Sequence, residues 1–149
     1  EIYNKIELFL KEKKEIAVIS VIETWGSSPR PVGSVMVVSE DNQVVGSVSG
    51  GCIESFVFGK ALEVIKNNKV LILDFGVTNK QAWEVGLTCG GKIKVLIEKF
   101  THLDSSYIKK INSNFIAGKN IIVATNVLLG YSFKVTSFPS YISSQPLSS

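Results

Sequence analysis

The sequence predicts a single α/β domain of the mixed α+β kind, a mixed β-sheet flanked by helices. Short runs rich in β-branched residues alternate with segments whose apolar residues recur at helical spacing. Two of those runs are separated by only three turn residues, the mark of a hairpin. The chain has 149 residues, 45% of them apolar, enough for one core and too few for two. No internal repeat or linker-like stretch divides it. The domain is expected over 1–136, and six serines among the 13 residues of 137–149, with Pro139 and Pro146, read as a loose tail.

The elements follow in order. Ile2, Ile6, Phe9 and Leu10 share one face of a short amphipathic helix over 2–13. Ile16–Ile22 reads as a strand. Ser34–Ser39 and Gln43–Ser47 flank Glu40-Asp41-Asn42 as a hairpin. After Gly50-Gly51, Cys52 is expected to open a helix on which Ile53, Val57, Ala61 and Val64 face inward, stopped by Asn67-Asn68. Val70–Phe75 and Ile93–Glu98 are further strands. Asp104 or Ser105 is the expected cap of a helix with Ile108, Ile111 and Phe115 inward, ending at Gly118. Ile121–Thr125 and Tyr131–Val135 close the pattern as a strand pair.

Charge and hydropathy exclude several functions. The longest strictly aliphatic runs are four residues, as in Val70–Leu73, whereas a membrane span needs about 20. Nothing at the start reads as a signal peptide, and the opening Glu1 suggests that the natural start is missing. The net charge is +3, but residues 1–100 balance 12 basic against 12 acidic groups, so the dense basic stripe of a nucleic-acid binder is absent. Of the 16 basic residues only Arg30 is arginine.

Ten of the 12 glycines, both tryptophans, both cysteines and Arg30 fall between Gly26 and Gly91 or directly beside them. They form three segments: Trp25–Gly33, Gly46–Glu54 and Trp83–Gly91. Each is expected at a strand or helix end, where glycine-rich turns can present N–H groups to an anion. In the first, Pro29 and Pro31 bracket Arg30, and restricted neighbours reduce the entropy lost when a guanidinium is aimed at a phosphate or carboxylate. Ser27 and Ser28 add hydroxyl donors there. In the second, a thiol at a helix start is favoured as thiolate, so Cys52 suits a reactive thiol, a metal ligand or a sulfur carrier; a small buried cysteine is the plain alternative. In the third, Cys89 precedes Gly90-Gly91. The cysteines lie 37 residues apart without CxxC spacing, which disfavours structural zinc; a disulfide between them is possible by count, but nothing suggests an oxidising compartment. Glu54 and Glu84 could position a thiol or take a proton. His102, the single histidine, reads as a surface residue.

The three segments, in this order, resemble the N-terminal domain of the XdhC/CoxI family, the accessory proteins of xanthine dehydrogenase and related molybdenum hydroxylases. The likeness runs through Gly26–Gly33, Gly46–Glu54 and Trp83–Gly91 and reaches about residue 130. It implies a cytoplasmic chaperone, not an enzyme, that binds molybdenum cofactor (molybdopterin) and carries it without using it for catalysis. Such a protein guards the cofactor while a cysteine desulfurase sulfurates it and then serves its insertion into an apo-hydroxylase. Ser27, Ser28, Arg30, Ser49, Gly50, Gly51, Cys52, Cys89, Gly90 and Gly91 would then bind cofactor, with Cys52 and Cys89 meeting the metal. Neither nucleic acid nor membrane is expected as a partner, and homo-oligomerisation is open. A thiol-dependent sulfur-transfer or redox enzyme and a pure interaction scaffold are the competing readings. Three departures stand out. No glycine fingerprint follows residue 91 to mark the Rossmann-like domain of many relatives, which suggests a single-domain member or a fragment; Ser34 replaces a commoner Ala, and Asn79-Lys80-Gln81 an acidic stretch.

Overall fold

The computed structural model describes residues 2–26, 30–51, 53–75, 91–118, 122–128 and 131–137. Along the chain run α1 (Ile2–Lys11), β1 (Ile16–Trp25), β2 (Val35–Ser39), β3 (Val44–Gly46), α2 (Glu54–Asn67), β4 (Leu71–Phe75) and β5 (Lys92–Phe100). A single 3₁₀ turn (His102–Asp104), α3 (Ser105–Ile116), β6 (Ile122–Leu128) and β7 (Tyr131–Ser137) complete it. The α+β class stands. The five-stranded sheet, in the order β3-β2-β1-β5-β4, is antiparallel in every described pairing, so the expected mixture of strand directions is replaced by an antiparallel sheet. β6 and β7 form a separate antiparallel pair.

Alternation along β1 builds two cores. Ala17, Ile19 and Val21 face α2 and join Val57, Ala61 and Val64 with Val95 and Ile97. Ile16 and Val18 face the other way and join Ile6, Phe9 and Leu10 of α1 and Ile108 of α3. Apolar residues at period two on a strand and at spacings of three and four on the helices give this three-layer arrangement without a special device. Asn112 of α3, 4% exposed, donates to Asn4 Oδ1 at 2.7 Å and Glu7 Oε1 at 3.0 Å, fixing α3 against α1.

Local chemistry sets the element ends. Asn68 stops α2 in the left-handed region, φ 56°, its amide returning to Val64 O at 2.8 Å. The cap expected at Asp104 or Ser105 lies earlier. Thr101 receives the Leu103 amide at 3.3 Å, and Asp104 reaches back to the Thr101 amide at 2.8 Å, a reciprocal capping box. Ile108 and Ile111 are buried as expected; the Phe115 side chain and residues 138–149 lie outside what is described. Gly46 ends β3 at φ +82°, where a Cβ would stand 2.3 Å from Val35 O and 2.8 Å from Ile2 Cδ1.

Strand direction matters most for function. β1 ends at Trp25 opposite Lys92, where β5 begins; β4 ends at Phe75 opposite Ile93; and β3 ends at Gly46 opposite Met36, beside the start of β2. All of these lie at one end of the sheet. The chain therefore leaves or enters the sheet at that single end through residues 26–34, 47–53 and 76–91. α2 starts at this end as well, since it carries the chain from the end of β3 back to the start of β4.

Candidate functional site

The end of the sheet just defined carries the described residues of the three glycine-rich segments. In the first, the Pro31-Val32-Gly33-Ser34 turn closes through Ser34 N–H to Pro31 O at 3.2 Å, with Gly33 at φ +93°, the sign its third position needs in a type II turn. Val21 locks the turn in register: its amide donates to Ser34 O and its carbonyl accepts from Gly33 N–H, both at 2.9 Å. One step on, β1 carries an extra residue, Ile22, where its register against β5 shifts, and Glu23 pairs with Lys94 at 3.1 Å. The turn thus holds Arg30 at a defined place, exposed to solvent. Trp25 and Val32, 53% and 58% exposed, flank it in sequence. Ser27 and Ser28 lie outside the described residues.

The second segment is organised by Glu54. Its Oε1 accepts from Ser47 Oγ at 2.7 Å, Val48 N at 3.2 Å and Ser49 N at 2.9 Å; its Oε2 accepts from Ser49 Oγ and from Gly51 N at 2.8 Å. The two serine hydroxyls accept in turn, Ser47 from Gly50 N and Ser49 from Ile53 N, each at 3.0 Å. Burial pushes the Glu54 carboxyl upward, but hydrogen bonds from Ser49, Ser47 and the loop amides outweigh it and hold the group down at about 2. The glycine amides that the sequence offers to an anion are therefore committed to Ser47 and Glu54 in this structure. Glu54 is a fixed, ionised clamp, its acceptor positions filled, not a poised proton acceptor. The helix begins at Glu54 with Ile53 as its N-cap, so Cys52 precedes the helix and does not open it. Cys52 itself is outside the described residues.

Of the third segment, Gly91 directly precedes β5, half-buried beside the sheet; Glu84, Cys89 and Gly90 lie outside the described residues. His102 is exposed at the opposite end of the sheet, two residues after Phe100, which pairs with Ile16 at the far end of β1. Ten residues of β1 separate the two ends, about 30 Å at strand rise. His102 therefore stands about 30 Å from the described residues of the motif end.

A second feature escapes the sequence reading. On the α1–α3 face of the sheet lies a cavity of about 620 Å³. Ser20, Leu96, Glu98 and Phe100 form its floor, Tyr3 and Tyr107 its walls, and Gly33 and Val35 line it towards the motif end. Glu98 is 4% exposed and is the one charged side chain lining it among the described residues. Tyr107 stacks on Phe100 with centroids 6.3 Å apart. Burial first, then the neighbouring Glu98, Tyr3 and Asp104, push its phenol up to about 12, so it stays neutral near pH 7. The signal was present in β5: Leu96, Glu98 and Phe100 share a face, and a carboxylate between two core residues breaks the apolar alternation.

Fold and site together define an α+β domain that brings the described residues of three glycine-rich segments to one end of an antiparallel sheet. Residues 9–76 match the sequence model of the XdhC and CoxI family. It is 32% identical over 90 residues to the molybdenum cofactor insertion chaperone PaoD of Escherichia coli, covering 60% of this chain and 28% of that protein. It is 24% identical over 121 residues to a probable xanthine dehydrogenase subunit of Bacillus subtilis, covering 80% of this chain and 37% of that one. The chain thus spans less than two fifths of either curated relative. The crystal structure of a xanthine dehydrogenase from Bacillus halodurans shares the fold, with a TM-score of 0.74 and 22% identity over 91% of this chain and 42% of that one.

Proposed function

We propose that this domain belongs to an accessory protein that holds molybdenum cofactor and serves its insertion into a molybdenum hydroxylase. The observation that carries the reading is Arg30, exposed on a locked turn at the end of the sheet where the Glu54-clamped loop also lies and where Gly91 leads into β5. The names of the two curated relatives support it. Arg30, with its planar fork, would hold the cofactor's phosphate. Ser27, Ser28, Cys89, Gly90 and Gly91 would complete the contact from the neighbouring segments, and Cys52 and Cys89 would approach the metal. Ser49, Gly50 and Gly51 would take part through the shape that Glu54 imposes, since their amides are already engaged. The same placement suits guarding the cofactor while a cysteine desulfurase supplies sulfur, in the cytoplasm where these client enzymes would be assembled. The cofactor is cargo in this reading, and the domain is not an enzyme.

The test is the composition of protein purified from a cofactor-producing host. Molybdenum, phosphate and pterin are expected in stoichiometric proportion. Arg30→Ala is expected to lower retention about tenfold or more, and Arg30→Lys to restore part of it. Retention by Cys52→Ala and Cys89→Ala equal to that of the parent chain would remove the thiols from the centre of the proposal. Exposed Trp25 and Val32 beside Arg30 favour a second reading, a pure scaffold. Cofactor-free protein that still captures a hydroxylase after Arg30→Ala would decide for it.

A further inference from the structure

Cys52 lies outside the described residues, but both of its neighbours are held, and by the same carboxylate oxygen. We infer that Glu54 is a positioning residue for the Cys52 thiol, and that its two oxygens divide the loop between them. This rests on the reading above in one respect, the use made of that thiol. On the side of β3, Oε1 accepts from Ser47 Oγ, Val48 N–H and Ser49 N–H. On the cysteine side, Oε2 accepts from Gly51 N–H at 2.8 Å and from the Ser49 hydroxyl, whose oxygen in turn receives Ile53 N–H at 3.0 Å. The residue before Cys52 thus hangs from Oε2 directly, and the residue after it through one hydroxyl. The chain leaves the core at Ser49, 2% exposed, passes through exposed Gly50 and Gly51, and is buried again at Ile53, 1% exposed. Gly50 and Gly51 take φ +72° and +117°, and a Cβ on Gly51 would meet nothing within 4 Å; the path of the backbone, not crowding, calls for glycine there. An excursion this short, with both ends pinned to one side chain, leaves position 52 little conformational freedom. Glutamine at 54 would break the two sides unequally. Oε1 faces two backbone N–H groups, which cannot turn away, so the amide oxygen must stay there. The NH₂ group then takes the place of Oε2, donor against donor at Gly51 N–H.

The experiment uses the chain with Cys89→Ser, which leaves Cys52 as its single thiol, labelled with a methanethiosulfonate nitroxide and read by electron paramagnetic resonance. Glu54→Gln and Ser49→Ala are expected to shorten the label's rotational correlation time about threefold or more, into the nanosecond range of mobile loops. Ser47→Ala removes an Oε1 donor and the Gly50 contact but touches neither neighbour of Cys52; it is expected to leave the line shape close to that of the parent. Glu54→Asp, which keeps both oxygens, is expected to restore part of the restriction lost in Glu54→Gln. Circular dichroism at the same temperature checks that each variant is folded, and the serine pair decides on its own should Glu54→Gln unfold. An unchanged line shape in Glu54→Gln, or equal loosening by Ser47→Ala and Ser49→Ala, overturns the inference. Molybdenum retention by the unlabelled variants separates it from the broader reading. A freed label with full retention supports the positioning and removes the thiol from the cargo site. An unchanged label overturns the positioning whatever is retained.

Discussion

Glu54 and Gly46 show how single residues hold the motif end in shape. The carboxylate of Glu54 gathers five donors from Ser47 to Gly51, so its ionised form is the one the fold needs. Its carboxyl is held at about 2, below the ordinary 4.5, which fixes the sign of its pH dependence. The stabilisation is fully present above pH 4.5 and is lost as the pH falls towards 2. Glu54→Gln is accordingly expected to lower the thermal midpoint at pH 7, and the gap to the parent chain should close between about pH 4.5 and 2. A gap constant down to pH 2 would show that the carboxylate's charge is not what the loop uses. Gly46 acts through space instead. Gly46→Ala meets a backbone oxygen at 2.3 Å at a φ that side chains avoid, and is expected to cost about 2–4 kcal/mol in denaturant unfolding.

Helices and strands were readable where burial has a local period. The spacing of Ile6, Phe9 and Leu10, or of Val57, Ala61 and Val64, states which face is inward, and those residues are buried. The order of the sheet was not readable, because β1 pairs with β5 across an intervening helix and three strands, and no residue of β1 records that choice. The expected mixed sheet failed for a related reason. α2 does connect two strands running in the same direction, β3 and β4, but it sets them at opposite edges of the sheet, so the crossover makes no parallel pair. The Glu54 clamp was half readable: an acid in a first turn is ordinary, and only the loop's curvature brings Ser47 and Ser49 to it. The α1–α3 contact offers a test at this scale. Asn112→Ala leaves Asn4 and Glu7 without their buried donor and is expected to destabilise by about 1–3 kcal/mol. An Asn114 substitution, whose side chain returns to Lys110 O within its own helix, should leave stability unchanged in the same measurement.

For the molecule as a whole, the arrangement is polar in the geometric sense. The described residues of the glycine-rich segments, Arg30 among them, and the start of α2 occupy one end, and the capping box with exposed His102 occupies the other, about 30 Å away along β1. An antiparallel sheet makes this possible, since every second connection returns to the same end, and motifs far apart in sequence meet without a long crossover. Trp25, the last residue of β1, stands at that end; Trp83 lies outside the described residues. Cargo held at the motif end should therefore quench or shift tryptophan fluorescence. Trp25→Phe is expected to weaken that response. A spectroscopic label at His102, at the opposite end, should stay silent during the same titration. A response from the label at His102 with none from the tryptophans would place the cargo at the wrong end of the sheet, and the shared location of the three motifs would then have to be explained by folding alone.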